Sequence, residues 1–197
     1  PDIDAFTTPG GGLTYYDSVE ARRMRVTPVE SWLIPMNSAY VAVHNVQWIL
    51  PPSEFKDSHP KWFSEGGDGQ LCFTARGDEK EYRALVDEII AVIKRGLADT
   101  DSDIFSISQL DFNTFCPCKT CVEKSRKYGA NAALVVLLCN RLSDYFAEWF
   151  KTEEGAVYKR DLKIVFLAYQ QILSAPVKKD EKTGEYVATA EEVKCRD

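Results

Sequence analysis

Histidine is almost absent from this sequence: His44 and His59 are the only two in 197 residues, so no histidine-rich metal site can be assembled. Basic charge is short as well. Thirty Asp and Glu outnumber 24 Lys and Arg, giving a net charge of −6 and a pI near 5.1. Proteins that work by neutralising phosphates carry a basic face or stripe, so no nucleic-acid partner is expected. Long apolar runs are also missing. The longest, 132–139, ends at Asn140 and Arg141, well short of the ~20 residues that cross a bilayer, and no membrane span is expected. No basic stretch leads into an apolar one at the start, so any signal peptide is expected outside these residues. There is no low-complexity tract, no solenoid-period repeat and no Gly/Ser linker, which leaves residues 1–197 as one domain. A chain of this length buries roughly 70% of its unfolded surface.

What is present is an alternation of amphipathic helices and short apolar runs. In 78–95, Tyr82, Leu85, Val86, Ile89, Ile90 and Ile93 recur at helical spacing, while Glu79, Lys80, Arg83, Asp87 and Lys94 face away. Asp78 and Glu81 have capping-box spacing, and Gly96 follows as the expected breaker. A second helix is expected over 130–150, on the stripe Leu134, Val135, Leu138, Leu142, Tyr145, Phe146 and Trp149. Shorter helices are expected at 18–26, 53–58 and 119–128. The runs 40–46, 70–74, 103–109 and 163–169 read as buried strands, with another at 13–16. Residues 177–189, crowded with Lys178, Lys179, Asp180, Glu181 and Lys182, read as a solvated loop. Strands alternating with helices are the signature of βα units, so the expected class is α/β.

In such folds functional groups gather where strands end. The richest ending is 106–113, where Gln109, Asp111 and Asn113 crown the strand. A carboxylate there can serve as general acid or base, and the amides can hold sugar hydroxyls. An Asp just past a strand is equally the mark of a turn or helix cap. His44 lies near the end of the run 40–46, with Trp48 just beyond, and Tyr169 ends the last run. Trp48, Trp62 and Tyr169 are flat surfaces on which sugar rings stack, although most aromatics are simply core. His59, beside Pro60, reads as structural.

Six cysteines are too few for a disulfide scaffold, yet Cys116, Cys118 and Cys121 crowd together. Three thiols need a fourth partner, and Cys72, ending the preceding run, is the natural one. The four make a structural Zn site, two disulfides, or unpaired thiols. A four-thiolate site is closed to substrate, so no cofactor is expected for catalysis itself. Cys139 reads as a core thiol and Cys195 as a tail cysteine with no visible partner.

Several of these pieces together resemble a bacterial family called domain of unknown function 4838, regarded as barrel proteins related to glycoside hydrolases. The carrying residues are Val43-His44, Leu50-Pro51-Pro52, His59-Pro60-Lys61-Trp62-Phe63, Gly69-Gln70-Leu71-Cys72, Ile107-Ser108-Gln109 with Asp111, the Cys116 to Cys121 run, and Leu167-Ala168-Tyr169-Gln170. The resemblance covers about 40–176, and 15–25 is similar to what precedes them in the family. It implies a (β/α)₈ barrel of the TIM type, export to the periplasm or beyond, and a sugar-cleaving or sugar-binding role in polysaccharide use. Two departures stand out: Leu110 replaces the family's usual Asn before the motif Asp, and Phe112-Asn113-Thr114 replaces a Gly-rich run. A complete barrel needs eight strands and about 250 residues, so these residues are expected to form part of one, with open edges that favour homo-oligomers. The expected function is glycoside hydrolysis with Asp111 as the reacting carboxylate and His44, Gln109, Asn113, Tyr169 and Trp48 binding the sugar. The alternative is a barrel that binds carbohydrate without catalysis.

Overall fold

The computed structural model describes residues 44–67, 69–100 and 102–196, together with two short strands. Those strands, β1 (Ala5–Thr7) and β2 (Leu13–Tyr15), pair antiparallel. The helix expected at 18–26 and the run 40–43 lie outside the described residues. His44 and Asn45 are not strand: His44 is a bend with φ 55°, and the chain turns at once into α1 (Val46–Ile49). Pro52 at a first helical turn then opens α2 (Pro52–Phe55), shorter than the helix expected at 53–58.

The expected strand at 70–74 does not form. Leu71 makes an isolated antiparallel bridge with Phe63, and the chain then turns through a 3₁₀ segment, Ala75–Gly77. Sheet formation stops because the chain turns away at once: Ala75, Arg76 and Gly77 all take positive φ.

α3 (Glu79–Asp99) is capped by the Asp78 carboxylate, which accepts from the Lys80 and Glu81 N–H groups. The reciprocal half of the capping box is absent, because the Glu81 carboxylate turns instead to His59 Nδ1 at 2.9 Å. Nor does Gly96 break the helix. α3 runs on to Asp99 and ends where Thr100 Oγ1 donates to Gly96 O. Arg160 completes that end, its guanidinium donating to the carbonyls of Leu97, Thr100 and Ser102, which a helix C-terminus otherwise leaves unpaired. The inner face buries Leu85, Val86, Ile89, Ile90, Ile93 and Leu97, each contributing about 1.5–3 kcal/mol over exposure.

β3 (Ile104–Ser106) leads through a long loop to α4 (Lys119–Tyr128), closed by Gly129 at φ 82°. α5 (Ala132–Trp149) is buried around most of its circumference, as a central helix must be. After α6 (Glu153–Ala156), β4 (Lys163–Val165) returns parallel to β3 in the register Ile104 to Lys163 and Ser106 to Val165. This β3–α4–α5–β4 unit is the parallel βα element of a mixed helix and sheet fold whose sheets are all two-stranded among the described residues.

The charged stretch expected as a loop is a hairpin. β5 (Val177–Lys179) pairs with β6 (Tyr186–Ala188), and Asp180 accepts from the Lys182 and Thr183 N–H groups to shape the turn, with Gly184 at φ 75°. Both strands are largely exposed, so no apolar alternation marks them. Buried Asn140 on α5 ties the following segment down, donating to Glu192 O and Lys194 O. Among the described residues no helix is long and apolar enough to cross a membrane.

Candidate functional site

Cys72, Cys116, Cys118 and Cys121 converge. All four are buried and their sulfurs lie within 4.8 Å of one another. Cys72 comes from the turn before α3, Cys116 and Cys118 from the β3–α4 loop, and Cys121 from the first turn of α4. Cys72 Sγ stands 3.8 Å from Cys118 Sγ and 3.7 Å from Cys121 Sγ, far longer than the roughly 2.05 Å of a disulfide. Four sulfurs on a tetrahedral ion at about 2.3 Å stand about 3.8 Å apart. The arrangement can hold a metal ion.

Hydrogen-bonding groups face the sulfurs. Arg76 N–H donates to Cys72 Sγ at 3.1 Å and Cys121 N–H to Cys118 Sγ at 3.4 Å, while Thr74 Oγ1 sits 3.2 Å from Cys121 Sγ. The first charge settles on Cys116, whose thiol is held far below its ordinary value by hydrogen bonds from Cys121 and Cys72 and by backbone N–H groups. The Cys116 charge in turn pushes Cys72 up to about 12 and Cys121 higher still, with burial adding to both. A divalent cation removes that conflict by neutralising several thiolates together. Phe73 and Phe115, stacked with ring centres 5.8 Å apart, adjoin Cys72 and Cys116 in sequence.

A second cluster forms where β3 and β4 end. Gln109 Nε2 donates to Tyr169 O at 2.8 Å, and Gln109 O meets His44 Nδ1 at 2.9 Å. The His44 and Tyr169 rings meet edgewise at 5.6 Å. Asp111 Oδ1 accepts from Gln170 Nε2 at 3.0 Å, and Asn113 Oδ1 from Gln171 Nε2 at 2.8 Å. Five of the expected residues, His44, Gln109, Asp111, Asn113 and Tyr169, are thus brought together from three distant stretches. Asp111 and Asn113 are exposed. Beside them an open groove of about 470 Å³ is lined by Phe112, Asn113, Phe115 and Gln171 among others. Trp48 is 48% exposed on α1, one turn beyond His44.

Trp62 is not a platform. It is 2% exposed, with His59 stacked on it at 4.1 Å and its indole N–H donating to Glu81 O. His59, read from its place beside Pro60 as structural, is engaged by this stacking and by the Glu81 carboxylate. A larger cleft of about 530 Å³ over Gly77, Thr120, Arg141 and Asp144 has charges engaged locally: Arg196 pairs with Asp144, and Arg141 lies over the Tyr82 ring.

The family described as Domain of unknown function (DUF4838) matches residues 13–185. The chain belongs to it. The DUF4838 match spans both the polar cluster and all four thiols. No curated protein and no solved structure matches the chain.

Three residues hold these clusters in shape in a role that the sequence does not reveal, although Gln70 and Ser108 stand in the motifs that carry the family resemblance. Buried Asn45 acts as a strand in miniature, its Nδ2 donating to Ser106 O and its Oδ1 accepting from Ser108 N, both at 2.8 Å. Gln70 does the same for Leu110, accepting its N–H at 3.0 Å and donating to its carbonyl at 3.4 Å. Ser108 Oγ receives Leu167 N–H at 3.0 Å. A side-chain amide that imitates a peptide group has no periodicity to betray it. The only signal is an amide adjoining an apolar run. The β3–α4 loop is consequently held at both ends: Ser108 by Asn45, Gln109 by Tyr169 and Leu110 by Gln70 near its start, and Cys116 and Cys118 by the thiol centre near its finish.

Proposed function

We propose that this domain is carbohydrate-active, part of a (β/α) barrel of the TIM type acting on a glycan in polysaccharide use. In this reading Asp111 is the reacting carboxylate, and His44, Gln109, Asn113, Tyr169 and Trp48 bind the sugar. One observation carries it: the polar side chains converge at the carboxyl ends of a parallel strand pair, where α/β folds bind their ligands, beside a groove of about 470 Å³. Exposed Trp48, Phe112 and Tyr169 supply stacking surfaces of the kind sugar rings use. The ion we assign to the thiolate centre is zinc, because four buried sulfurs within 4.8 Å of one another match the closed ligand set of a structural zinc site. Its place is to clamp the loop that carries Asp111 and Asn113 to the segment that carries Gln70. Export to the periplasm or beyond belongs to the same proposal, and bound zinc would keep four adjacent thiols reduced there.

A second reading, binding without chemistry, draws on one feature. Among the described residues the hydrogen-bonded cluster holds a single carboxylate, Asp111, whereas glycoside hydrolysis uses two. A thermal-shift panel of mono- and oligosaccharides tests both readings, since a ligand that binds only the folded state raises the melting temperature. A dose-dependent shift with one sugar class is expected; no shift with any sugar would count against both. Asp111→Asn then separates them. Under hydrolysis it lowers turnover about 10²–10⁴-fold, and under binding alone the sugar-induced shift survives with no turnover in either form.

A further inference from the structure

His44 is the group at the β3–β4 end whose proton the backbone itself locates. Its Nδ1 lies 2.9 Å from Gln109 O. A carbonyl oxygen only accepts, so the nitrogen facing it carries the hydrogen, and the lone pair of the neutral ring is on Nε2. This is the one hydrogen bond that the His44 side chain makes among the described residues. The ring is also held in orientation. Gln109 gives its carbonyl to His44 and its side-chain amide N–H to Tyr169 O, and the Tyr169 ring closes on His44 edgewise.

Two further observations fall on the same spot. His44 has φ 55° and Gln170, next to Tyr169, has φ 46°. Non-glycine residues in that region cost of order 1–3 kcal/mol each and persist where the surroundings over-determine them, commonly at ligand sites. The Gln109 side chain is fully buried, and its Oε1 has no hydrogen-bond partner, although a buried acceptor left unpaired costs about 1–3 kcal/mol. Among the described residues this end leaves several acceptors over: His44 Nε2, Gln109 Oε1, Gln170 Oε1 and the second oxygen of Asp111. What complements them is a ligand that brings its own protons.

We infer that His44 is the proton-accepting residue of this site: Gln109 O locks the Nδ1–H tautomer, and Nε2 receives a hydroxyl of a polyhydroxylated ligand. The ligand class rests on the carbohydrate reading; the tautomer does not. Long-range ¹⁵N–¹H spectra at pH 8 decide the tautomer, with His44→Asn used to assign the two histidines. A hydrogen on Nδ1 and a bare Nε2 are expected at His44, and a hydrogen on Nε2 overturns the inference whatever the protein binds. Titration with methyl glycosides, uronic acids and N-acetylhexosamines should move the Nε2 resonance of His44. His44→Asn, which retains an N–H near the Nδ1 position and lacks Nε2, should weaken the bound sugar about tenfold, with melting temperature and far-UV dichroism unchanged. If a sugar binds but leaves Nε2 unmoved and binds His44→Asn equally well, the inference fails and the carbohydrate reading stands. If no sugar binds, both fail.

Discussion

At the residue scale, the site depends on small groups that substitute for backbone. Asn45 occupies the edge of β3 opposite β4, where a neighbouring strand would bond, and satisfies Ser106 O and Ser108 N with one amide. Asn45→Ala leaves two buried backbone groups unpaired and should cost about 2–4 kcal/mol in urea unfolding. A loss under 1 kcal/mol would mean that water replaces the amide. Gly77 makes a similar point by contact. It sits at φ 84°, and a Cβ there would run into Thr120 Oγ1 on the first turn of α4. Gly77→Ala should therefore lower stability by more than the about 1 kcal/mol of an ordinary glycine exchange, and should loosen the thiol centre that α4 helps to build. Faster alkylation of Cys121 in the variant is the expected readout. None of this could be read from spacing: the convergence of four thiols was legible because their order along the chain matches the order of neighbouring turns, but an amide that imitates a peptide group leaves no pattern.

At the element scale, α3 is anchored by charge at both ends. Asp78 caps its N-terminus and meets Lys61 Nζ at 2.6 Å, and this pairing, with the backbone N–H groups, holds its carboxyl below the usual carboxylate range. Because the folded value is depressed, the contribution is present above the unfolded value and disappears as pH falls through the folded one. Stability should thus decline below the ordinary Asp range, and Asp78→Asn, which keeps a capping oxygen, should flatten that part of the pH profile. A wild-type profile retained in the variant would show that other carboxylates set it. At the other end, Arg160→Ala frees three carbonyls and should cost about 1.5–3 kcal/mol. The long helices were legible because a 3.6-residue stripe survives any tertiary context, and 119–128 coincides with α4. The run 70–74 was misread because a short apolar stretch looks the same whether it pairs along its length or, as here, at one residue before turning. The hairpin at 177–188 was missed for the opposite reason: strands exposed on both faces carry no alternation to detect.

At the scale of the whole molecule, two clusters share one loop. The stretch from Ile107 to Cys118 runs from the end of β3, past the polar side chains, into the thiol centre, and in the proposed function a bound ion there clamps the site. Removing the ion should leave α3 and α5 folded but free the loop, raising hydrogen exchange across residues 107–118 and weakening any bound sugar, because binding to a metal is coupled to folding of its ligands. The most direct test is zinc X-ray absorption on protein purified without added metal. One zinc per chain with four sulfur neighbours at about 2.3 Å is expected. Protein that folds with no bound metal, or zinc surrounded by oxygen and nitrogen, would contradict the zinc assignment.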